Sequence, residues 1–135
     1  MTGTNRIPLA LLCLRLGVFL VMLLWTLDKF RRPEHAAAVF ANFYFIGGLG
    51  SLTIYLLGTL EIFLLIGFVA GVKKRLTYGA VLLLHGISTL SSFKQYLAPF
   101  EGPNLLFFAA WPMLAACLAL YLLRDLDTLC TVEKG

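Results

Sequence analysis

Four long apolar segments dominate this chain, and the first of them contains an arginine. The segments cover approximately residues 7–27, 49–72, 76–93 and 104–123. A helix needs about 20 apolar residues to cross a bilayer core of about 30 Å, so each segment is long enough for one span. Arg15 stands inside the first segment, in LLCLRLGVFLVMLLWTLDKF. A charged side chain within a membrane needs a partner inside the helix bundle, so the other segments should supply one.

The composition supports a membrane protein. Hydrophobic residues make up 60% of the chain and charged residues 13%, against about 45–50% and about 25% in soluble domains. We therefore predict an all-α, four-transmembrane-helix bundle that forms one integral membrane domain over residues 1–135. The net charge of +4 does not indicate nucleic-acid binding, because the cations cluster between the apolar segments and form no basic patch interleaved with aromatic residues.

The distribution of basic residues predicts the orientation. Basic residues are enriched in cytoplasmic loops. Four spans place the N-terminus, the KKR loop and the C-terminal tail on one side, with six basic residues against four on the other. The bias favours a multi-pass protein of the cytoplasmic (inner) membrane with both termini in the cytoplasm. The six are Arg6, Lys73, Lys74, Arg75, Arg124 and Lys134, and the four are Lys29, Arg31, Arg32 and Lys94.

The first outer loop, residues 28–48, is long for a connection within a bundle. Its stretch PEHAAAVFANFYFIGGLG starts with a proline suited to a first helical turn and ends in glycines suited to a stop. We predict a short helix here, rich in aromatic residues and lying in the headgroup region. Two roles stay open for it: a simple interfacial connector, or a lid over an opening between the spans.

Two residues are candidate partners for Arg15: Glu61 in the second span and His85 in the third. Counted from the cytoplasmic end of each span at about 1.5 Å per residue, all three lie roughly 12–17 Å deep, near the membrane midplane. We therefore predict an Arg15–Glu61 ion pair with His85 within one hydrogen bond or one water. This polar centre has two interpretations, a ligand-binding site or purely structural glue between helices.

A stripe of polar residues on the third span and one broad side of the first span could extend this centre outward. His85, Ser88, Thr89 and Ser92 follow the i, i+3, i+4, i+7 spacing of one helix face. The predicted residues lining a pocket are Met22, Trp25, Lys29, Ser88, Thr89, Ser92 and Trp111.

The cysteines do not indicate redox or metal chemistry. Cys13, Cys117 and Cys130 are too few and too scattered for a disulfide framework or a zinc site, and the chain has no CxxC motif. We therefore expect no bound metal and no covalently attached cofactor.

Two motifs resemble the DoxX-like family of small four-helix membrane proteins, which includes DoxX, DoxD and MauE-like members. They are LRLGVFLVMLLWTLDKF in the first span and GTLEIFLLIGFVAGVKKR in the second, and they extend over roughly the first two-thirds of the chain as a pattern. The matching positions are Arg15, Gly17, Lys29, Glu61, Gly67 and Gly71. The stretch LWTLDKF departs from the family pattern because it lacks the glycine expected there.

The resemblance implies an accessory or anchor subunit of a quinone-linked or thiol-linked redox complex in the membrane. A quinone headgroup, or a similar polar small molecule, is the candidate ligand of the polar centre. Arg15 and His85 would donate hydrogen bonds to it, and Glu61 would orient them. The expected partners are the lipid bilayer and a redox enzyme or further copies of the chain. The alternatives are an assembly factor or chaperone for membrane proteins and a transporter of small solutes or protons. Whether the chain is itself an enzyme stays open.

Overall fold

The computed structural model describes residues 3–133, and within that range it contains helices and no strand. The prediction of an all-α protein is therefore confirmed. The helices are α1 (Gly3–Arg31), α2 (Pro33–Phe43), α3 (Ser51–Ala70), α4 (Lys74–Ser91), α5 (Phe93–Leu97) and α6 (Ala110–Leu122). Two 3₁₀ segments, Asn104–Ala109 and Arg124–Leu126, precede and follow α6.

Three helical segments in the described part of the chain are long and apolar enough to cross a membrane. They are Arg6–Arg31, Ser51–Ala70 and Asn104–Leu122. They correspond to the first, second and fourth predicted spans. Helix α4 occupies the position of the third, but it is less apolar than the others because it contains Lys74, Arg75, His85 and several hydroxyl residues.

The long helices pack in a closed ring. Helix α1 contacts α3, α3 contacts α4, α4 contacts α6, and α6 contacts α1. The C-terminal part of α1 lies beside the N-terminal half of α3. Gly58 faces the ring of Phe30, and Glu61 faces Thr26. A β-carbon at Gly58 would lie only 2.8 Å from that ring, so the absence of a side chain allows the close approach of α1 and α3.

The buried apolar core occupies the half of the ring nearest the C-terminal tail. Phe68 and Tyr78 meet edge to face with their ring centroids 5.1 Å apart, which is a favoured geometry for aromatic pairs. The buried core residues are Leu11, Val18, Leu65, Phe68, Tyr78, Val81, Cys117 and Leu120.

The turn between α3 and α4 depends on Gly71. Its φ of 68° is left-handed, a conformation that glycine adopts without a steric penalty. A β-carbon at this position would lie 2.5 Å from the Cβ of Thr131. The glycine therefore ends α3 and also leaves room for the C-terminal tail, which crosses the turn at this point.

Helix α2 lies between α1 and α3, within residues 28–48, where the sequence predicts a short helix. It begins with Pro33 in its first turn and packs against α1 and α3, with Ala36 buried. Its end at Phe43 comes before the glycines, and Phe45 adopts a left-handed φ of 59°. The position of α2 in a headgroup layer stays a prediction.

Candidate functional site

Arg15 is fully buried and pairs with an aspartate of the C-terminal tail. Its side chain is 1% exposed and that of Asp127 is 0% exposed, with 2.5 Å between Nη1 and Oδ1. The other terminal nitrogen, Nη2, donates to the carbonyl oxygen of Leu129 at 2.7 Å and to that of Cys130 at 3.3 Å. The guanidinium therefore binds one carboxylate and the backbone of the segment that follows it.

Two residues of α4 complete this arrangement. The hydroxyl of Tyr78 donates to Oδ2 of Asp127 at 2.6 Å, so both carboxylate oxygens accept a hydrogen bond. The Nζ of Lys74, a residue only 3% exposed, donates to the carbonyl oxygens of Asp127 at 2.5 Å and Arg124 at 3.3 Å. We call Arg15, Lys74, Tyr78 and Asp127 the tail cluster. Buried charges are tolerated when paired or hydrogen-bonded; Arg15 and Asp127 are both, and Lys74 is hydrogen-bonded to backbone carbonyl oxygens.

The tail continues from this cluster across the α3–α4 turn. The backbone N–H of Val132 donates to Ala70 at 2.7 Å, and that of Glu133 donates to Gly71 at 3.2 Å. The Glu133 carboxylate accepts from the backbone N–H of Lys74 at 3.2 Å. Hydrogen bonds from the backbone N–H groups of Lys74 and Lys73 lower the pKa of Glu133. The segment after α6 is thus fixed to the first, third and fourth helices at once.

The predicted Arg15–Glu61 ion pair is wrong. Glu61 instead accepts hydrogen bonds through Oε2 from the hydroxyl of Thr26 at 2.9 Å and the ammonium of Lys29 at 3.1 Å. We call Thr26, Lys29 and Glu61 the loop-end cluster. It is less enclosed than the tail cluster, because the side chains of Lys29 and Glu61 are 12% and 23% exposed.

The error comes from the relative levels of α1 and α3. The predicted depths require that the spans begin at one level. In the structure, the N-terminal part of α1, which begins at Gly3, extends beyond the C-terminal end of α3. Thr26 lies beside Glu61. Arg15 is 11 residues earlier, about 16 Å along the helix. The same distance beyond Glu61 reaches Val72, past the last residue of α3. Arg15 therefore lies at the end of the bundle and not at its middle.

His85 joins neither cluster. It is 8% exposed, and its Nε2 lies 3.0 Å from the carbonyl oxygen of Ala110, the first residue of α6. The histidine thus connects α4 to α6. The predicted convergence of Arg15, Glu61 and His85 on one site does not occur, because each is bound to a different element.

The residues predicted to line a pocket also have separate partners. Met22 packs against the apolar core, Lys29 belongs to the loop-end cluster, and Thr89 donates to the backbone of its own helix at His85. Ser92 is buried at the end of α4 and directs its hydroxyl to the carbonyl oxygen of Ser88.

The two tryptophans of this predicted set lie in separate aromatic contacts. Trp25, 56% exposed, stacks on His35, and Trp111, 43% exposed, contacts Tyr96. The predicted set therefore does not form one cleft.

The sequence interpretation missed Asp127, Tyr78 and Lys74. Lys74 contributes only to the predicted orientation, and Tyr78 and Asp127 are not among the predicted site residues. A signal was available: a buried arginine requires an acid, and the tail supplies two aspartates directly after the last helix. Periodicity could not show it, because the tail folds back onto α1 from 112 residues away.

Chemically, the tail cluster binds its own chain. Its carboxylate and ammonium groups are bonded to described residues, and the Nε of Arg15 is the group in it without a partner among residues 3–133. No group of three or more His, Cys, Asp or Glu residues that could hold a metal occurs in the described part of the chain. The cluster therefore has a structural role, because it holds the tail against α1 and α4.

The fold and the site define an all-helical chain of the kind found in multi-pass membrane proteins, closed at one end by its C-terminal tail. No protein-family model, curated protein or solved structure matches the chain.

Proposed function

We propose that the chain is an integral membrane protein with four spans, formed by α1, α3, α4 and the segment ending with α6. The distribution of polar residues on α4 supports a membrane crossing by this helix. Its buried residues are mostly polar, with Lys74, His85 and Thr89 among them, whereas its exposed residues after the first turn are apolar. The exposed apolar residues of α4 are Leu76, Leu83, Leu84, Ile87 and Leu90, and Arg75 in its first turn is exposed as well. A helix in water has the opposite arrangement, so α4 is suited to lipid despite its lower mean hydropathy.

Four spans give both termini the same side of the membrane, and the excess of basic residues at the tail end favours the cytoplasmic side of the inner membrane. This topology predicts that residue 73, just before α4, and residue 94, in the short α5 that follows it, lie on opposite sides. We would introduce Lys73→Cys and Lys94→Cys separately into a chain without its three cysteines. A membrane-impermeant maleimide added outside spheroplasts should label only Cys at position 94. Labelling of both positions, or of neither, would contradict a membrane crossing by α4.

Within that membrane we propose an accessory or anchor subunit of a quinone-linked or thiol-linked redox complex. The DoxX-like motifs imply the redox association. The accessory role is supported by one observation on Arg15. Its terminal nitrogens are bonded to the tail and are not directed to an opening. A chain whose strongest buried polar groups bind each other is suited to hold a partner rather than to perform chemistry.

The proposal does not assign a quinone to Arg15, Glu61 and His85, because these residues lie in separate contacts. A quinone linked to this protein would belong to the complex. The second candidate is an assembly factor for membrane proteins. The same observation favours it, because a purely structural polar cluster is what that function requires. The two differ in whether the partner stays bound to the chain in the mature complex.

The experiment is purification of the tagged full chain from native membranes in mild detergent, after pulse labelling and a chase. An accessory subunit should stay bound to a flavin- or haem-containing enzyme throughout the chase, with quinone reductase or thiol oxidase activity in the purified complex. An assembly factor should release its partner during the chase. Purification of the chain alone at all times, with no redox activity, would contradict both.

A further inference from the structure

A groove at the tail end of the bundle combines exposed cations with apolar surface. It has a volume of about 470 Å³ and is lined by Lys73, Lys74, Arg75, Leu76, Tyr121 and Glu133. The groove is an open depression of the surface and not an enclosed cavity. The groove lies between the start of α4 and the end of α6, outside the tail cluster, and only Lys74 is shared between them.

The cations available in the groove are Lys73 and Arg75. Both side chains are exposed, and neither forms a salt bridge with another described residue. Lys74 is different, because its ammonium points inward to two carbonyl oxygens of the tail. Two exposed cations that form no salt bridge with a described residue therefore flank one whose ammonium is already bound.

The apolar part of the groove begins one residue further along. Leu76 is 66% exposed, and the ring of Tyr121 packs so closely on Gly79 that a β-carbon there would lie 3.2 Å from it. The guanidinium of Arg124 lies 4.5 Å above the same ring. The surface thus changes from cationic to apolar within one turn of α4. This is the change that a membrane surface presents between phosphate and acyl chain.

We propose that this groove binds an anionic phospholipid, with Lys73 and Arg75 contacting the headgroup phosphate and Leu76 and Tyr121 contacting the acyl region. Basic pockets between spans at the cytoplasmic surface are known to hold such headgroups. A soluble anion would use the cations but gain nothing from the apolar wall. The inference rests on the membrane embedding proposed above, and it goes beyond the proposed function because it needs no partner protein.

Glu133 opposes binding. Its carboxylate lies on the rim and accepts the N–H of Lys74. Hydrogen bonds from the backbone keep its pKa low, so it is negatively charged at neutral pH. Replacing it by glutamine keeps an acceptor for the N–H but removes the charge. Glu133→Gln should therefore strengthen binding of an anionic lipid, the opposite of the effect of removing a cation.

The test uses the full chain purified in a neutral detergent and titrated with dioctanoyl phosphatidylglycerol. Thermal unfolding is followed by the fluorescence of the two tryptophans. The wild type should be stabilised by phosphatidylglycerol, and much less by dioctanoyl phosphatidylcholine or by inorganic phosphate at equal concentrations. The double variant Lys73→Gln/Arg75→Gln should bind phosphatidylglycerol about 25-fold more weakly, at about fivefold per cation.

The matched control is Arg31→Gln/Lys94→Gln, which removes two exposed cations at the opposite end of the bundle. It should keep wild-type binding. Equal binding of the two double variants would overturn the proposal, as would equal stabilisation by phosphatidylcholine. Equal stabilisation by inorganic phosphate would also overturn it, because the ligand of the groove would then be a free anion and not a lipid. Failure of the four-span topology is detected separately, by the maleimide labelling, so the two proposals can fail independently.

Discussion

The two ends of the bundle each contain an ion pair between helical or tail segments, but the two pairs differ in burial. At the tail end, Arg15 and Asp127 are buried, Tyr78 donates to the second carboxylate oxygen, and backbone carbonyls accept from Nη2 of Arg15. At the other end, Lys29 and Glu61 pair at 3.1 Å while remaining partly exposed. Breaking a completely buried pair leaves an uncompensated charge inside the protein. The long side chain of Lys29, two residues from the end of α1, can instead carry its charge toward the membrane surface when Glu61 is removed. The same chemistry should therefore matter far more at the tail end.

The largest effect is expected for Asp127→Ala. It leaves Arg15 buried without its carboxylate, and Tyr78 without an acceptor, so we expect a loss of about 3–5 kcal/mol in the free energy of unfolding. The measurement is an SDS titration of the detergent-purified protein, followed by circular dichroism. Asp125→Ala is the control, because Asp125 is exposed and two residues away. Equal losses for the two variants would mean that the tail cluster does not hold the tail.

A double variant sharpens this result. Arg15→Leu/Asp127→Leu removes both charges together, and replacing a buried ion pair by apolar groups is often close to neutral. The double variant should therefore lose less stability than Asp127→Ala alone. If the losses simply add, the pair is not coupled and the buried charge is not the cause of the first effect.

Tyr78→Phe should have the next largest effect. It removes the hydroxyl that donates to Asp127 while the ring keeps its contact with Phe68. One oxygen of the carboxylate is then left without its donor inside the protein, at a cost of about 1–3 kcal/mol. The same SDS titration measures it. Tyr121→Phe is the control, since the Tyr121 hydroxyl forms no hydrogen bond with another residue in the described part of the chain. An effect no larger than that of the control would contradict the role of the hydroxyl.

The sequence predicted the helical class and the helix in the first outer loop because both depend on local patterns of apolar and turn residues. It predicted that Arg15 and His85 are buried, because a charge and an imidazole stand out in apolar segments, but it missed the buried Lys74 and Asp127. It did not predict their partners. Partners depend on the relative shift of α1 against α3 and on a tail that folds back, and neither leaves a periodic signal in the chain.

At the loop end, Glu61→Ala tests the weaker side of the comparison. Hydrogen-bonded pairs between membrane helices average about 0.6 kcal/mol and reach about 1.7 kcal/mol. We expect Glu61→Ala to fall in this range and Glu61→Gln to cost less, because the amide still accepts from Thr26. The SDS titration compares both with Asp127→Ala. A loss for Glu61→Ala as large as that for Asp127→Ala would remove the difference between the two ends.

The smallest effect is expected at the corner between α1 and α2. There Asp28 accepts from Arg32 at 2.7 Å, and its second oxygen lies 2.6 Å from Nδ1 of His35. The Arg32 side chain is 57% exposed, and exposed pairs contribute about 0–1 kcal/mol. Arg32→Ala should therefore change stability little at low salt and not at all at high salt. Because Asp127 and Arg15 are shielded from ions, the loss caused by Asp127→Ala should persist at both salt concentrations. A salt-dependent loss there would show that water reaches the tail cluster, and the contrast between the two ends would then fail.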